Sequence, residues 1–238
     1  MRESAFLVTC EHGGKRIPTR YRDCFAGQEA SLRSHRGYDP GALAMARDLA
    51  RGLGAPLMTS TISRLLVDLN RSPGHPRLHA EAIWRLPAAI RQRIVEDHYL
   101  PFRAGAEAAI AGALAKGKRV IHLSSHSFTP ILDGIVRGAD VGLLYDPRRA
   151  GETALCQEWL GRIKARAAEL RVRRNYPYRG RSDGFTAHLR RRFAAEDYIG
   201  VELEINQAIA LAGGQAWRRL RALLVSCLRE TLDSAGCA

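Results

Sequence analysis

The 238-residue sequence has no uninterrupted apolar run long enough to span a bilayer, which argues against a membrane protein built on helices. It has no Cys-x-x-Cys pair. Its five cysteines, Cys10, Cys24, Cys156, Cys227 and Cys237, are odd in number and widely spaced, which argues against a disulfide framework and a cysteine-based zinc module. Cys10 adjoins Glu11 and His12 but reads best as a small buried hydrophobe closing a strand. The N-terminus starts polar, without the apolar core and cleavage site of a secretory signal, so a cytoplasmic location is expected. Aromatic residues make up only 7%, and no nucleic-acid-binding motif, internal repeat, low-complexity segment or domain linker is visible.

Lysine is scarce too. Only four of the 37 basic residues are lysines, so the net charge of +13 is carried by arginine. Such a surplus suits a nucleic acid or a small anionic substrate, since arginine forks match carboxylates. Most of it, however, is what an arginine- and alanine-rich codon bias would produce. Hydrophobic residues at 46% and charged residues at 26% are ordinary for a folded soluble protein. The length suits one α/β domain spanning residues 1–238.

Apolar runs predict buried strands over Ala5 to Thr9, Arg119 to Ser124, Val141 to Tyr145 and Tyr198 to Ile205, with a short one over Pro56 to Thr59. Helical spacing predicts a helix from Asp39-Pro40 to Gly54, with Asp39 as N-cap. Further helices are predicted over about 86–115 with a break near Pro101, over about 150–170, and from Gln215 to Leu232. Residues 72–80 and Asn175 to Gly184 read as loops. Alternating strands and helices imply an α/β fold with a mostly parallel or mixed central sheet and helices on both faces.

In such a sheet, sites form at the C-terminal ends of strands. His12 follows the first strand. His126 is expected just beyond the central one, and Glu202 and Glu204 share one face of the late strand. Two histidines, a carboxylate ligand and a further glutamate are the inventory of a catalytic zinc site with one open position. His122 and His126 are four apart, about 13 Å on an extended strand, so they do not share an ion. Asp39 is the preferred carboxylate ligand, with His35 as an alternate; its rival reading is a plain helix N-cap.

Six segments then appear in order: Cys-Glu-His-Gly-Gly (10–14), Tyr-Asp-Pro-Gly-Ala (38–42), Ser-Arg-Leu-Leu-Val-Asp-Leu-Asn-Arg (63–71), Ser-His-Ser-Phe-Thr-Pro (125–130), Asn-Tyr-Pro-Tyr-Arg-Gly (175–180) and Val-Glu-Leu-Glu-Ile (201–205). Together they resemble the N-formylglutamate amidohydrolase family, from about residue 5 to 210. The family is similar in architecture to zinc carboxypeptidases and to zinc-dependent muramoyl-alanine amidases. The resemblance implies a metal, zinc foremost, on His12, Asp39 and His126, although cobalt or manganese suits the same donors. It places the general base at Glu204, with Glu202 as runner-up. It implies hydrolysis of an N-acyl acidic amino acid, N-formyl-L-glutamate above all, and suggests a role in histidine degradation.

A dianionic substrate needs fixed positive groups. Arg64 and Arg71 flank an apolar segment inside the motif and are the main candidates, with Asn70 and Asp68 orienting them. Arg137, Tyr178 and Arg179 are secondary, and His188 is a further residue that could reach the pocket. The chain departs from the family pattern at Asn206, where an arginine is expected, which leaves the acyl group and amino acid open. The competing readings are a related zinc amidase or deacylase with another N-acyl amino acid or peptide, a member of the fold that has lost activity, and a non-catalytic basic nucleic-acid-binding protein. No membrane partner is expected, and the sequence does not fix the oligomeric state.

Overall fold

A computed structural model describes residues 2–234 and residue 236; Cys237 lies outside the described residues. The chain opens with strand β1 (Ser4–Cys10), a 3-10 turn (Thr19–Phe25) and the short α1 (Glu29–Arg33). Next come α2 (Ala42–Leu53), β2 (Leu57–Thr59) and α3 (Glu81–Trp84). A long helical stretch follows: α4 (Ala88–Ile94), a π turn (Val95–Tyr99) and α5 (Leu100–Ala115). Then come β3 (Arg119–Phe128), the β4–β5 hairpin (Ile131–Leu132, Ile135–Val136), β6 (Val141–Leu144) and α6 (Ala150–Arg166). The chain finishes with β7 (Val172–Arg174), α7 (Phe185–Arg192), β8 (Tyr198–Asn206), α8 (Gln207–Ala212) and α9 (Gly214–Ser234). No helix among the described residues is long and apolar enough to cross a membrane.

Six strands form one sheet in the order β2-β1-β3-β8-β6-β7. All neighbours run parallel except β6 against β8, so the expectation of a mostly parallel sheet holds. The alternation of side chains along a strand then sorts residues between two faces. Ile121 and Leu123 of β3 and Val201, Leu203 and Ile205 of β8 join Val8 and Cys10 under α2, α6 and α9. Leu7, Val120 and Tyr198 turn the other way, against α5 and α7. A third apolar cluster, around Leu66, Ile83 and Tyr99, anchors the long segment between β2 and α5.

Three local expectations change. The helix expected from Asp39-Pro40, α2, starts at Ala42, because Gly41 at φ 86° breaks the approach and occupies the cap position. Asp39 is thereby released from capping. Pro101 does not break the helix; it sits in the first turn of α5 directly after the π turn, where its missing N–H is absorbed. His126 lies inside β3 rather than beyond it, because pairing with β8 continues to Phe128.

Candidate metal and hydrolase site

The site forms where β1, β3 and β8 end. His12 comes two residues after β1, and its backbone carbonyl accepts from the Asp39 N–H at 2.9 Å, which ties the two segments together. Asp39 sits before α2, and His126 projects from the face of β3 opposite the α2–α6–α9 layer. All three side chains are buried, and one ligand atom from each falls within 4.8 Å of the others. His126 Nδ1 is 2.9 Å from Asp39 Oδ2, and His12 Nδ1 is 3.4 Å from the same oxygen. The His12 Nδ1 atom is buried without a hydrogen-bond partner. A buried nitrogen lone pair facing a carboxylate and a second imidazole suits a divalent cation with nitrogen and oxygen ligands, so the residues fit a metal.

Each far ring nitrogen is held in turn. His12 Nε2 is 2.7 Å from Asp68 Oδ1. His126 Nε2 lies 2.9 Å from Ser124 Oγ and 3.1 Å from Glu11 Oε2. Ligating imidazoles commonly have this second, outer partner. Asp68 also accepts two Arg64 N–H groups, at 2.7 and 3.1 Å, and the Asn70 backbone N–H at 3.0 Å. Arg64 reaches on to Asp39 Oδ1 at 3.4 Å, so one guanidinium joins both carboxylates that face His12.

Electrostatics follow the geometry. Burial alone would raise Asp39, but the charge and hydrogen bonds of His12 and His126, with Arg64, hold it well below the carboxylate range. His126 is drawn well above its ordinary value because the carboxylates of Asp39 and Glu11 overcome its desolvation. Glu204 goes the other way. Burial, with Asp39 and Glu202 nearby, pushes it up to about 8 despite His126 and Arg64. It pairs in register with His126 across β3 and β8, and its Oε2 is buried with no partner. Glu202, one pleat back, accepts a hydrogen bond from the Thr186 hydroxyl at the start of α7.

A cleft of about 1070 Å³ opens over these groups. That is at the upper end of small-ligand cavities, so an amino-acid-sized substrate fits without displacing the walls. His12, Asp39, His126, Glu202 and Glu204 line it, with Arg64, Asn70, Arg71, Tyr178, Arg179 and His35. His35 faces the cleft but is not in the three-residue metal group. The Asn70 side chain accepts from the Phe185 N–H, and Arg71 donates to the Asp183 carbonyl. Arg137 is not a wall residue: its guanidinium packs on the Tyr178 ring and donates to its hydroxyl. His188 sits away from the cleft against Glu107. Asn206 is buried, caps α8 through the Ala208 N–H, and donates to the Ala139 carbonyl, so it too is turned from the cleft.

The family model for N-formylglutamate amidohydrolase matches residues 4–211. The chain belongs to this family. Its reaction class is therefore hydrolysis of an amide, as the resemblance implied. Among solved structures, the chain is similar to the gene product Atu2144 from Agrobacterium tumefaciens, with 30% identity, a TM-score of 0.84, and coverage of 99% of this chain and 93% of that one. It is also similar to the N-formylglutamate amidohydrolase from Ralstonia eutropha JMP134, with 20% identity, a TM-score of 0.70, and coverage of 97% and 94%. No curated protein matches the chain.

Sequence reasoning passed over Glu11 as a side chain with its own work, although it stands in the quoted Cys-Glu-His-Gly-Gly segment. The available signal was its spacing: Thr9 and Glu11 are two apart, on the sheet face that β3 lines with His122, Ser124 and His126.

Proposed function

We propose that this protein is a zinc-dependent hydrolase of N-acyl acidic amino acids, with N-formyl-L-glutamate as its first substrate and formate and glutamate as products. The observation that carries the reading is the convergence of His12, Asp39 and His126 under one cleft, beside a buried glutamate with an unpartnered oxygen. A zinc ion held there would supply Lewis acidity and an acidified water near pH 7.

The chain's own residues supply the rest. Glu204 takes the proton of the attacking water and returns it to the amide nitrogen, which cannot leave as an anion. Its free Oε2 supports this role over Glu202, whose carboxylate is committed to Thr186. Burial holds Glu204 up to about 8, and a cation held by His12, Asp39 and His126 would draw it back toward the ionised form that a base requires. Arg71 and Arg179 on the cleft wall bind the substrate carboxylates, while Asn70 holds the start of α7 against the cleft through the Phe185 N–H. Arg64 fixes Asp39 and Asp68 while presenting a quarter of its side chain to the cleft. Tyr178, backed by Arg137, adds an aromatic wall beside Arg179.

A longer acyl group is the second reading. The roomy cleft favours it. The test is a panel of N-formyl-, N-acetyl- and N-succinyl-L-glutamate and N-formyl-L-glutamine on the zinc-loaded protein. The highest kcat/KM is expected for N-formyl-L-glutamate. Preference for a longer acyl group would select the second reading, and no hydrolysis of any acidic substrate would overturn both.

A further inference from the structure

Behind His126, away from the cleft, lies a buried chain of polar side chains that the proposed reaction does not use. Glu11 is fully buried and is not a wall residue of the cleft, so substrate does not reach it. Its Oε1 accepts from Thr9 Oγ1 at 2.5 Å, and its Oε2 accepts from Ser124 Oγ at 2.7 Å. Thr9 Oγ1 lies 2.8 Å from His122 Nε2, and His122 Nδ1 lies 2.7 Å from the Tyr198 hydroxyl. All of these groups are buried on one face of the sheet.

Bond polarity along this chain is settled by the groups themselves. An ionised carboxylate only accepts, so Thr9 and Ser124 both give their hydroxyl protons to Glu11. Thr9 oxygen then accepts from His122 Nε2–H. That leaves His122 Nδ1 to accept from the Tyr198 O–H. Every donor points toward Glu11, and the remaining Oε2 site faces His126 Nε2 at 3.1 Å. The Ser124 hydroxyl, its one proton given to Glu11, can only accept from His126 Nε2 at 2.9 Å, so His126 carries its proton on Nε2 and leaves the Nδ1 lone pair toward Asp39 and His12. A neutral histidine has only one such proton to place, and metal ligation needs the other nitrogen free.

We propose that Glu11 is the positioning residue for the metal site: it locks the His126 tautomer, and the Thr9–His122–Tyr198 array locks Glu11. The inference rests on the metal-hydrolase reading above and concerns affinity for the ion rather than the chemical step. Glu11→Gln keeps the size but places an amide donor where three donors converge. Outer partners of this kind are worth about 10- to 100-fold in metal affinity.

The experiment titrates metal-stripped wild type, Glu11→Gln, Thr9→Val and Ser125→Ala with zinc against a chromophoric chelator, alongside melting temperatures. Ser125 neighbours His126 in β3 but turns to the opposite face, where it donates to the Ala42 carbonyl at 2.9 Å. It therefore reports a general loosening of the strand. Expected are a Kd raised about 10- to 100-fold in Glu11→Gln, a smaller rise in Thr9→Val, and an unchanged Kd in Ser125→Ala even where its melting temperature falls. In zinc-loaded wild type labelled with 15N-histidine, His126 should carry its proton on Nε2. If Glu11→Gln does not fold, Thr9→Val decides. A Kd unchanged in the folded variants, or a proton on the other nitrogen, overturns the role of Glu11 and leaves the hydrolase reading standing. A wild type that binds no zinc overturns both.

Discussion

The two faces of the central sheet are made from the same strands and carry opposite chemistry. Toward α2, α6 and α9, β3 and β8 present Ile121, Leu123, Val201, Leu203 and Ile205, all buried in one apolar cluster. Toward the other side, the same strands present His122, Ser124, His126, Glu202 and Glu204, equally buried but joined by hydrogen bonds or left facing the cleft. Burial is thus shared by both faces and does not distinguish core from site. The apolar face stabilises by area removed from water, about 25 cal/mol per Å². The polar face holds ionisable groups where desolvation is costly unless each is paired. The first face makes most of the core, and the second, apolar only where Leu7, Val120 and Tyr198 meet α5 and α7, uses that rigidity to keep unlike charges in place.

This contrast can be broken on either side. The largest effect is expected from Glu204→Gln on the polar face. It should lower kcat by about 10²–10⁴-fold while the protein still binds zinc and folds. Retained activity, measured as formate release, would exclude Glu204 as the base. On the apolar face, Leu123→Ala should cost about 2–5 kcal/mol in denaturant unfolding. Its activity per folded molecule should be nearly unchanged, because Leu123 is fully buried away from the cleft. Equal damage to activity would mean that the faces are coupled.

A pH experiment sharpens the comparison. Burial raises Glu204 to about 8 from an ordinary 4.5, so the folded metal-free chain keeps a proton that the unfolded chain releases. Its contribution to stability is full below about 4.5 and is lost as pH rises through about 8. Glu204→Gln has no proton to lose. In chelator-treated protein, the variant should therefore gain on wild type between pH 5 and pH 8 by at least ~1 kcal/mol, roughly 2–4 °C in Tm. A gap that is constant with pH would contradict the burial argument. The smallest effect is expected at the rim: Arg179→Ala should raise KM several-fold with kcat little changed, as for lost ground-state binding. A fall in kcat instead would place Arg179 nearer the chemistry.

The apolar face was legible in the sequence because runs such as Phe-Leu-Val and Val-Gly-Leu-Leu mark buried strands directly. The long α6 and α9 were legible for the same reason, since their apolar spacing is helical. The polar face was legible only in part. Asp39-Pro40 has the chemistry of a helix start, and only the positive φ of Gly41 shows that the carboxylate turns to the histidines instead. The extent of β3 was understated because Ser125-His126-Ser127 lacks strand-like hydrophobicity, while β8 pairs with it residue by residue. The short α7, with its Arg190-Arg191-Arg192 end, was masked by charge. Arg190 is nearly buried in an ion pair with Glu152, which no local pattern announces. The array behind His126 joins Thr9, Glu11, His122 and Tyr198 from three strands, so it exists only in the sheet register.

The central claim is that the polar face holds one metal ion through His12, Asp39 and His126. Elemental analysis of zinc-equilibrated wild type and His126→Ala, run in parallel, tests it directly. About one zinc per chain in wild type and much less in the variant, with both folded, is the result the account predicts. Wild type without bound metal, or a variant that retains it fully, would contradict it.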